Sequence, residues 1–385
     1  MQSWNSARNI LCIRLDAMGD VIMTTPALKM LKEAVPGRKL TLLTSTQGSK
    51  IAESIPLFDD VIPYPAPWLK ASGDRTDDRA DLQMIENLQK QRFDGAVIFT
   101  VYSQNPLPSA LLCHLANIPL RAAYCRENPY ALLTDWIQEE EPHKLLRHEV
   151  RRHLDLVSKI GCSSTNLPLV LQIHDEARES LSSKLARVNA LDDKRRIIIH
   201  PGSTAESRRY SEDGFAKVAD TLSDMGLNVL FTGSEEENEL VKRIQGKMKN
   251  FSWNLAGVLS LKEMIALLGS SPLLISNNSG PVHMAAALGT PVVVLYALTN
   301  PQHTPWLIPN AVLFKDVHCR FCYKSVCPAG TKECLDSVRP ELIVAKAMEL
   351  LHKEEAPSYD FLAIHPIQLK EEVHHDHATK SEALS

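Results

Sequence analysis

Residues 273–296, LLISNNSGPVHMAAALGTPVVVLY, leave few folds open to this chain. A buried strand runs into a polar Ser-Asn-Asn-Ser-Gly turn, then a helix of small residues, then a second buried strand. Unbroken apolar strands on either side of a helix read as parallel neighbours in a sheet covered on both faces. Ser279 and Gly280 fall where the helix begins, and its first backbone N–H groups have no partner inside the helix. Such a turn can seat an anion such as a phosphate, although many strand–helix turns of this kind bind nothing.

The alternation recurs along the chain. Residues 9–15 (NILCIRL) form an apolar run, and helical spacing follows over 21–34 until Pro36 and Gly37. Residues 39–43 and 95–101 read as strands, and 64–81, rich in Pro, Gly and charge, as a long surface loop. Val150, Leu154, Val157 and Ile160 trace a helical stripe that closes at Gly161. A second series follows the charged stretch 192–196, with strands at 197–200, 228–231, 273–276 and 292–296 and helices at 213–225, 261–269 and 281–288. The expected fold class is therefore α/β, as two doubly wound halves. The expected division is 1–170, a linker region over 171–194, then 195–352. Residues 353–385 are polar and His/Glu-rich and read as a disordered tail, in which His374, His375 and His377 are solvated rather than chelating.

A chain of 385 residues with 44% hydrophobic content exceeds one small core, which agrees with two or more domains. The net charge of −4 gives no global basic field to draw nucleic acid or anionic lipid. The first nine residues lack the basic-then-apolar pattern of a signal peptide. The longest mostly apolar run, 285–298, holds Gly289, Thr290 and Pro291 and falls short of the ~20 residues that cross a bilayer. A cytoplasmic protein is expected, with room for peripheral contact at the membrane face. Cys12, Cys113, Cys125 and Cys162 sit among apolar neighbours and read as reduced core residues. Cys319, Cys322, Cys327 and Cys334 cluster within HCRFCYKSVCPAGTKEC. Four thiolates can bind zinc, but the pattern has a single Cys-x-x-Cys pair, so packed, reduced cysteines are the expectation and no metal is assigned.

In doubly wound sheets ligands bind at the C-terminal ends of strands. Four such loops carry chemistry. The first is Asp16-Ala17-Met18-Gly19-Asp20, where Gly19 permits close backbone approach. Asp20 either caps the next helix or faces a cleft as a general base, with Asp16 as its competitor for the second role. The second is His200-Pro201-Gly202-Ser203-Thr204, followed by Arg208 and Arg209, whose guanidinium groups suit diphosphate oxygens unless they are merely solvated. The third, Thr232-Gly233-Ser234-Glu235-Glu236, offers Glu235 to ribose hydroxyls or to a helix dipole. The fourth is the Ser-Gly turn already described, with His283 just inside its helix.

Together these loops resemble glycosyltransferase family 9, the ADP-heptose:lipopolysaccharide heptosyltransferases. The resemblance rests on IRLDAMGDVIMTTPALKMLKEAVPG, IIHPGSTAESRRYSEDGFAKVADTL and ISNNSGPVHMAAALGTPVVVLYALTNPQHTPW, in register over residues 9–351, and the Cys cluster looks like that of many members. It implies the GT-B fold, two Rossmann-like domains facing across a cleft, with the acceptor on the N-terminal side and the nucleotide-sugar on the C-terminal side. It also implies a metal-independent, inverting transfer without a cofactor, from an ADP-heptose-type donor to a lipid-linked or core saccharide, with no role for nucleic acid. On that pattern Asp20 is the base. Ser203, Thr204, Arg208, Arg209, Glu235, Asn278, Ser279, Gly280 and His283 line the donor, with Gly19 and Gly202 supporting the loops. Residues 64–81 and 100–108 are the expected acceptor-side loops. Arg208 stands where the family often has Lys in a Lys-x-Trp-Pro element, and Tyr210 and Ser211 replace its Trp and Pro. Asn278 stands where the family has Asp, which bears on the identity of the sugar. An epimerase or hydrolase of the same fold, and a nucleotide-sugar-binding protein without catalysis, are the alternative readings.

Overall fold

The structure, a computed structural model, describes residues 3–69, 79–163, 167–190, 195–297 and 300–352. The expected tail 353–385, its three histidines included, lies outside the described residues. Strands β1 (Asn9–Arg14), β2 (Lys39–Thr44), β3 (Asp60–Pro63), β4 (Gly95–Ile98), β5 (Leu120–Cys125) and β6 (Asp135–Gln138) form one sheet in the order β3-β2-β1-β4-β5-β6. Strands β7 (Arg196–His200), β8 (Asn228–Phe231), β9 (Trp253–Asn254), β10 (Leu273–Asn277), β11 (Val292–Leu295) and β12 (Asn310–Leu313) form a second, in the order β12-β11-β10-β7-β8-β9. Every pairing is parallel. Both sheets have the doubly wound order in which the winding reverses once, between β1 and β4 in the first and between β7 and β10 in the second.

The helices of the first half are α1 (Met18–Glu33), α2 (Thr46–Ala52), α3 (Arg79–Gln91), α4 (Leu107–Leu115) and α5 (Glu149–Ser158). Those of the second are α6 (Asp175–Arg187), α7 (Glu212–Asp224), α8 (Asn238–Gln245), α9 (Leu261–Gly269), α10 (Gly280–Leu288), α11 (Glu333–Asp336) and α12 (Pro340–His352). Among the described residues no helix is long and apolar enough to cross a membrane. Local chemistry sets several boundaries. Ser260 and Glu263 close a reciprocal capping box at the start of α9, and Gly289 ends α10 at φ +78°, a conformation that suits glycine. Pro26 sits inside α1 and has no N–H for the Ile22 carbonyl, which accepts the Thr25 hydroxyl at 2.6 Å instead.

Three segments differ from the sequence reading. Helix α1 starts at Met18 rather than 21, because Asp20 rather than an apolar stripe organises its first turn. The expected loop 64–81 ends inside α3, and buried Tyr64 donates its hydroxyl to Asp81 Oδ1 at 2.7 Å, with 70–78 outside the described residues. The region 171–194, expected as a linker, holds α6, whose Ser180 and Lys184 donate to Glu263 of α9 at 2.6 and 2.8 Å. A continuous apolar cluster runs from Ile10 and Cys12 of β1 through Val21 and Leu28 of α1 to Val282 and Ala285 of α10 and Leu274 of β10. The two halves thus share core across α1 and α10.

Candidate active site

The polar loops emerge where the sheets reverse. Residues 16–20 leave β1 and residues 99–106 leave β4, on either side of one switch point; residues 201–204 leave β7 and 278–280 leave β10, on either side of the other. The starts of α1 and α10 then meet. A Cβ added at Gly19 would lie 2.8 Å from His283 Cδ2 and 3.7 Å from Gly280 Cα, so the contact depends on glycine. Gly19, Gly280 and His283 are brought together, with Asp20 one residue further along.

On the first side, Asp20 is the third residue of α1 and accepts the Ala17 N–H at 3.1 Å, so it does cap the helix. Its other oxygen faces Arg14 Nη2 at 3.4 Å. Arg14 is fully buried and also reaches Asp16 Oδ2 at 3.1 Å and Glu149 Oε1 at 3.1 Å. Gln104 donates to Asp16 Oδ1 at 2.6 Å. Burial pushes the Asp20 carboxyl above its ordinary value against the pull of Arg14, and the charge of Glu149 pushes the same way. Asp16 is raised too, by burial and by Asp20. Burial opposes ionisation of Glu149 as well, but His153 at 3.0 Å and Arg14 outweigh it and hold that carboxyl well below its usual range.

On the second side, Asn277 Nδ2 donates to the Pro201 carbonyl at 2.7 Å and its Oδ1 accepts the Tyr210 N–H at 3.1 Å, which ties the end of β10 to the loop after β7. Arg209 Nε donates to the Ser203 carbonyl at 2.7 Å, so its guanidinium braces the loop. Ser279 is the N-cap of α10, but its hydroxyl turns back to the Asn277 carbonyl at 3.3 Å and does not cap the helix. Among the described residues Asn278 Nδ2, His283 Nδ1 and Arg208 Nε are buried without hydrogen-bond partners. An unmet buried donor costs about 1–3 kcal/mol, and an oxygen-rich ligand relieves such costs. Ser203 is buried, Thr204 and Glu235 are exposed, and Glu235 lies with its backbone against Gly257. The carboxylate that covers Gly202 belongs instead to Glu237, whose Oε1 would be 2.0 Å from a Cβ there.

Buried histidines surround the junction. Burial, with Arg208 and neighbouring imidazoles, lowers His283 to about 3. Burial likewise takes His303 to about 4 and His148 to about 4. All are neutral at pH 7. The segment bearing His303 joins the halves: Glu149 N–H donates to the Gln302 carbonyl at 3.0 Å, and Gln302 Nε2 donates to the Arg147 carbonyl at 2.9 Å.

The cysteine loop makes a second bridge. Tyr102 of the first half donates to Tyr323 of the second at 2.5 Å, Ser207 N–H and hydroxyl donate to the Ser325 and Lys324 carbonyls at 3.0 and 2.7 Å, and Lys332 Nζ donates to the Arg209 carbonyl at 2.9 Å. Cys319, Cys322, Cys327 and Cys334 line one cavity of about 50 Å³. Backbone N–H groups, that of Lys332 foremost, draw the Cys327 thiol below its ordinary value. Among the described residues no cluster of three or more His, Cys, Asp or Glu has the arrangement to hold a metal ion.

Sequence reasoning missed Arg14, Glu149, His153, Glu237, Asn277 and Gln302. A signal existed for some of them. Arg14 ends an otherwise apolar strand, and Glu149 and His153 are polar residues at i, i+4 on the buried face of α5. Their meeting across more than a hundred residues of chain had no trace in local spacing.

A sequence model described as glycosyltransferase family 9 (heptosyltransferase) matches residues 82–332. The chain is similar to lipopolysaccharide heptosyltransferase 2 of Escherichia coli K12, at 26% identity over 359 residues that cover 90% of this chain and 99% of the relative. It is also similar to lipooligosaccharide heptosyltransferase 2 of Haemophilus influenzae, at 24% identity covering 90% of this chain and 100% of the relative. Among solved structures, a family 9 glycosyl transferase from Veillonella parvula shares the fold at TM-score 0.75 and 21% identity, over 91% of this chain and 98% of that one. The E. coli ADP-heptose lps heptosyltransferase II shares it at TM-score 0.70 and 22% identity, over 89% and 98%.

Proposed function

The chain belongs to glycosyltransferase family 9, and from that premise we propose that it moves a heptose from an ADP-sugar to a hydroxyl of a lipopolysaccharide-core acceptor, with Asp20 as general base. The observation that carries the reading is the junction of α1 with α10, where the loop of Asp20 meets the Ser279-Gly280 turn. Two relatives similar along nearly their whole length are named lipopolysaccharide or lipooligosaccharide heptosyltransferases, and a solved structure of the same fold, E. coli heptosyltransferase WaaC, is described with ADP.

The chemistry follows from the residues. The acceptor oxygen bonds to the anomeric carbon while its proton passes to Asp20. The bond from that carbon to the diphosphate oxygen breaks, and its electron pair leaves with the nucleoside diphosphate. Attack opposite the leaving group inverts the anomeric centre. A carboxyl raised by burial suits this task, because a base works best when its pKa approaches the working pH. Negative charge grows on the diphosphate, and Arg208, the uncapped N–H groups of α10 and the Asn278 amide are fixed donors for it. No step calls for a metal. Glu237, rather than Glu235, is the carboxylate set over Gly202 for ribose hydroxyls.

The test is Asp20→Asn. Transfer from ADP-heptose should fall by about 10²-fold or more, the usual worth of a positioned base. Donor binding should survive: at 100 times its Kd the ADP-sugar should still add about 2.7 kcal/mol of stability in a thermal-shift assay. Turnover that persists in this variant would sink the assignment.

A further inference from the structure

One buried guanidinium serves three carboxylates behind the proposed base. Arg14 Nε lies 3.1 Å from Asp16, Nη1 lies 3.1 Å from Glu149, and Nη2 lies 3.4 Å from Asp20. Among the described residues Arg14 forms a well-aligned hydrogen bond to a carboxylate at Glu149, whereas Nη2 has none. The contact with Asp20 is therefore the loosest of the three. Glu149 comes from α5, is fully buried, and is held in turn by His153 Nε2 at 3.0 Å and by its own N–H on the Gln302 carbonyl at 3.0 Å.

We propose that Glu149 is a positioning residue for the transfer step: by holding Arg14 Nη1 on α5 it keeps the guanidinium from closing on Asp20 and leaves a carboxylate oxygen open to the acceptor hydroxyl. The inference rests on Asp20 being the base. Asp20 Oδ2 already accepts the Ala17 N–H, so an Arg hydrogen-bonded to Oδ1 would occupy the remaining oxygen and weaken it as a base. Glu149 prevents this by competing for the same cation while its own charge disfavours loss of basicity at Asp20. The other groups around the site do not supply this balance. From the neighbouring elements come Asp16 after β1, His153 of α5, His283 of α10, His303 before β12 and Arg208 after β7. The three histidines are buried and neutral at pH 7, with values lowered to about 4, 3 and 4. The charge of Arg208 bears on His283 and His303. The charge felt by Asp20 is thus set by Arg14, Asp16 and Glu149.

The experiment is the pH dependence of kcat/KM for the wild type, Glu149→Gln, Arg14→Gln and Asp20→Asn, with melting temperature and ADP-sugar binding recorded for each. In Glu149→Gln the guanidinium turns to Asp20, so the acid limb should move down by about one pH unit, the scale of a neighbouring charge, and kcat should fall with donor binding unchanged. In Arg14→Gln the limb should move up. Either variant carries the test if the other fails to fold, because the shifts have opposite signs. A loss of activity with the acid limb unmoved is what a merely structural role predicts, and it overturns the proposal. Persistent turnover in Asp20→Asn would instead overturn the base assignment itself, whatever the limb does in the other two.

Discussion

Asp20 holds two positions in the energetics of this protein. Its carboxylate accepts the Ala17 N–H at 3.1 Å and so contributes to the start of α1, and it stands beside Arg14 in a buried site. Charge at a helix start is worth roughly 0.3–1 kcal/mol, whereas a positioned base is worth orders of magnitude in rate. Asparagine keeps an acceptor for the cap and removes the proposed base, which is why Asp20→Asn separates the two roles where Ala would confound them. Gly19 has a sharper constraint. In Gly19→Ala the new methyl meets the His283 ring at 2.8 Å, a contact that real side chains do not show. That ring is buried and cannot swing out cheaply, so α1 and α10 must part. The variant should lose about 1–3 kcal/mol of stability, as overpacked cores do, together with most transfer activity. Urea denaturation and an activity assay on the same preparation check both, and a wild-type midpoint would contradict the close approach.

Among the elements, the loop after β7 depends on its neighbours more than on itself. Asn277 ties Pro201 and Tyr210 to the end of β10, Arg209 braces Ser203, and the cysteine loop accepts both donors of Ser207. Asn277→Leu would fill the same space but leave the Pro201 carbonyl and the Tyr210 N–H unmet in the interior. The expected cost is about 2 kcal/mol or more, with weaker ADP-sugar binding, read by denaturation and thermal shift. The sequence made β7, β10 and α10 legible because their apolar runs and the Ser-Gly turn are local signals. It left β3, β5, β6, β9 and β12 unread; apart from the six-residue β5 these are strands of two to four residues, and Asp60–Pro63 and Asp135–Gln138 carry half-polar edges without clear alternation. Position Asn277 was visible as part of a polar turn, but its role as a tie needs two loops that are distant in sequence.

For the whole molecule, the buried imidazoles at the seam between the halves set a dependence on acid. Burial lowers His148, His153 and His303 to about 4 and His283 to about 3, from an ordinary value of 6.5. The unfolded chain takes up these protons near pH 6.5 and the folded chain only near 4 or 3. Their stabilising contribution is complete above pH 6.5 and is lost as pH falls through that window. Asp16, Asp20 and Asp336, raised in the fold, act in the opposite sense, but they are three groups against five, since buried His200 is lowered as well. Calorimetry should show a melting temperature that declines steadily from pH 7 to pH 4.5. A flat profile would mean that these rings are not buried neutral. Because His148 and His303 come from different halves, acid should loosen the seam first.

What the sequence alone determined is the alternation of buried strands and helices, the four polar loops at strand ends and the family to which they point. These are properties of short stretches, where period, turn chemistry and a few glycines are sufficient. The tertiary structure decided which of those loops meet, that Arg14 is shared among Asp16, Asp20 and Glu149, and that Glu237 rather than Glu235 covers Gly202. The reason is physical. A guanidinium and its carboxylates interact through space over about 3 Å, and residues 14 and 149 come that close only after two β-α layers have folded around them.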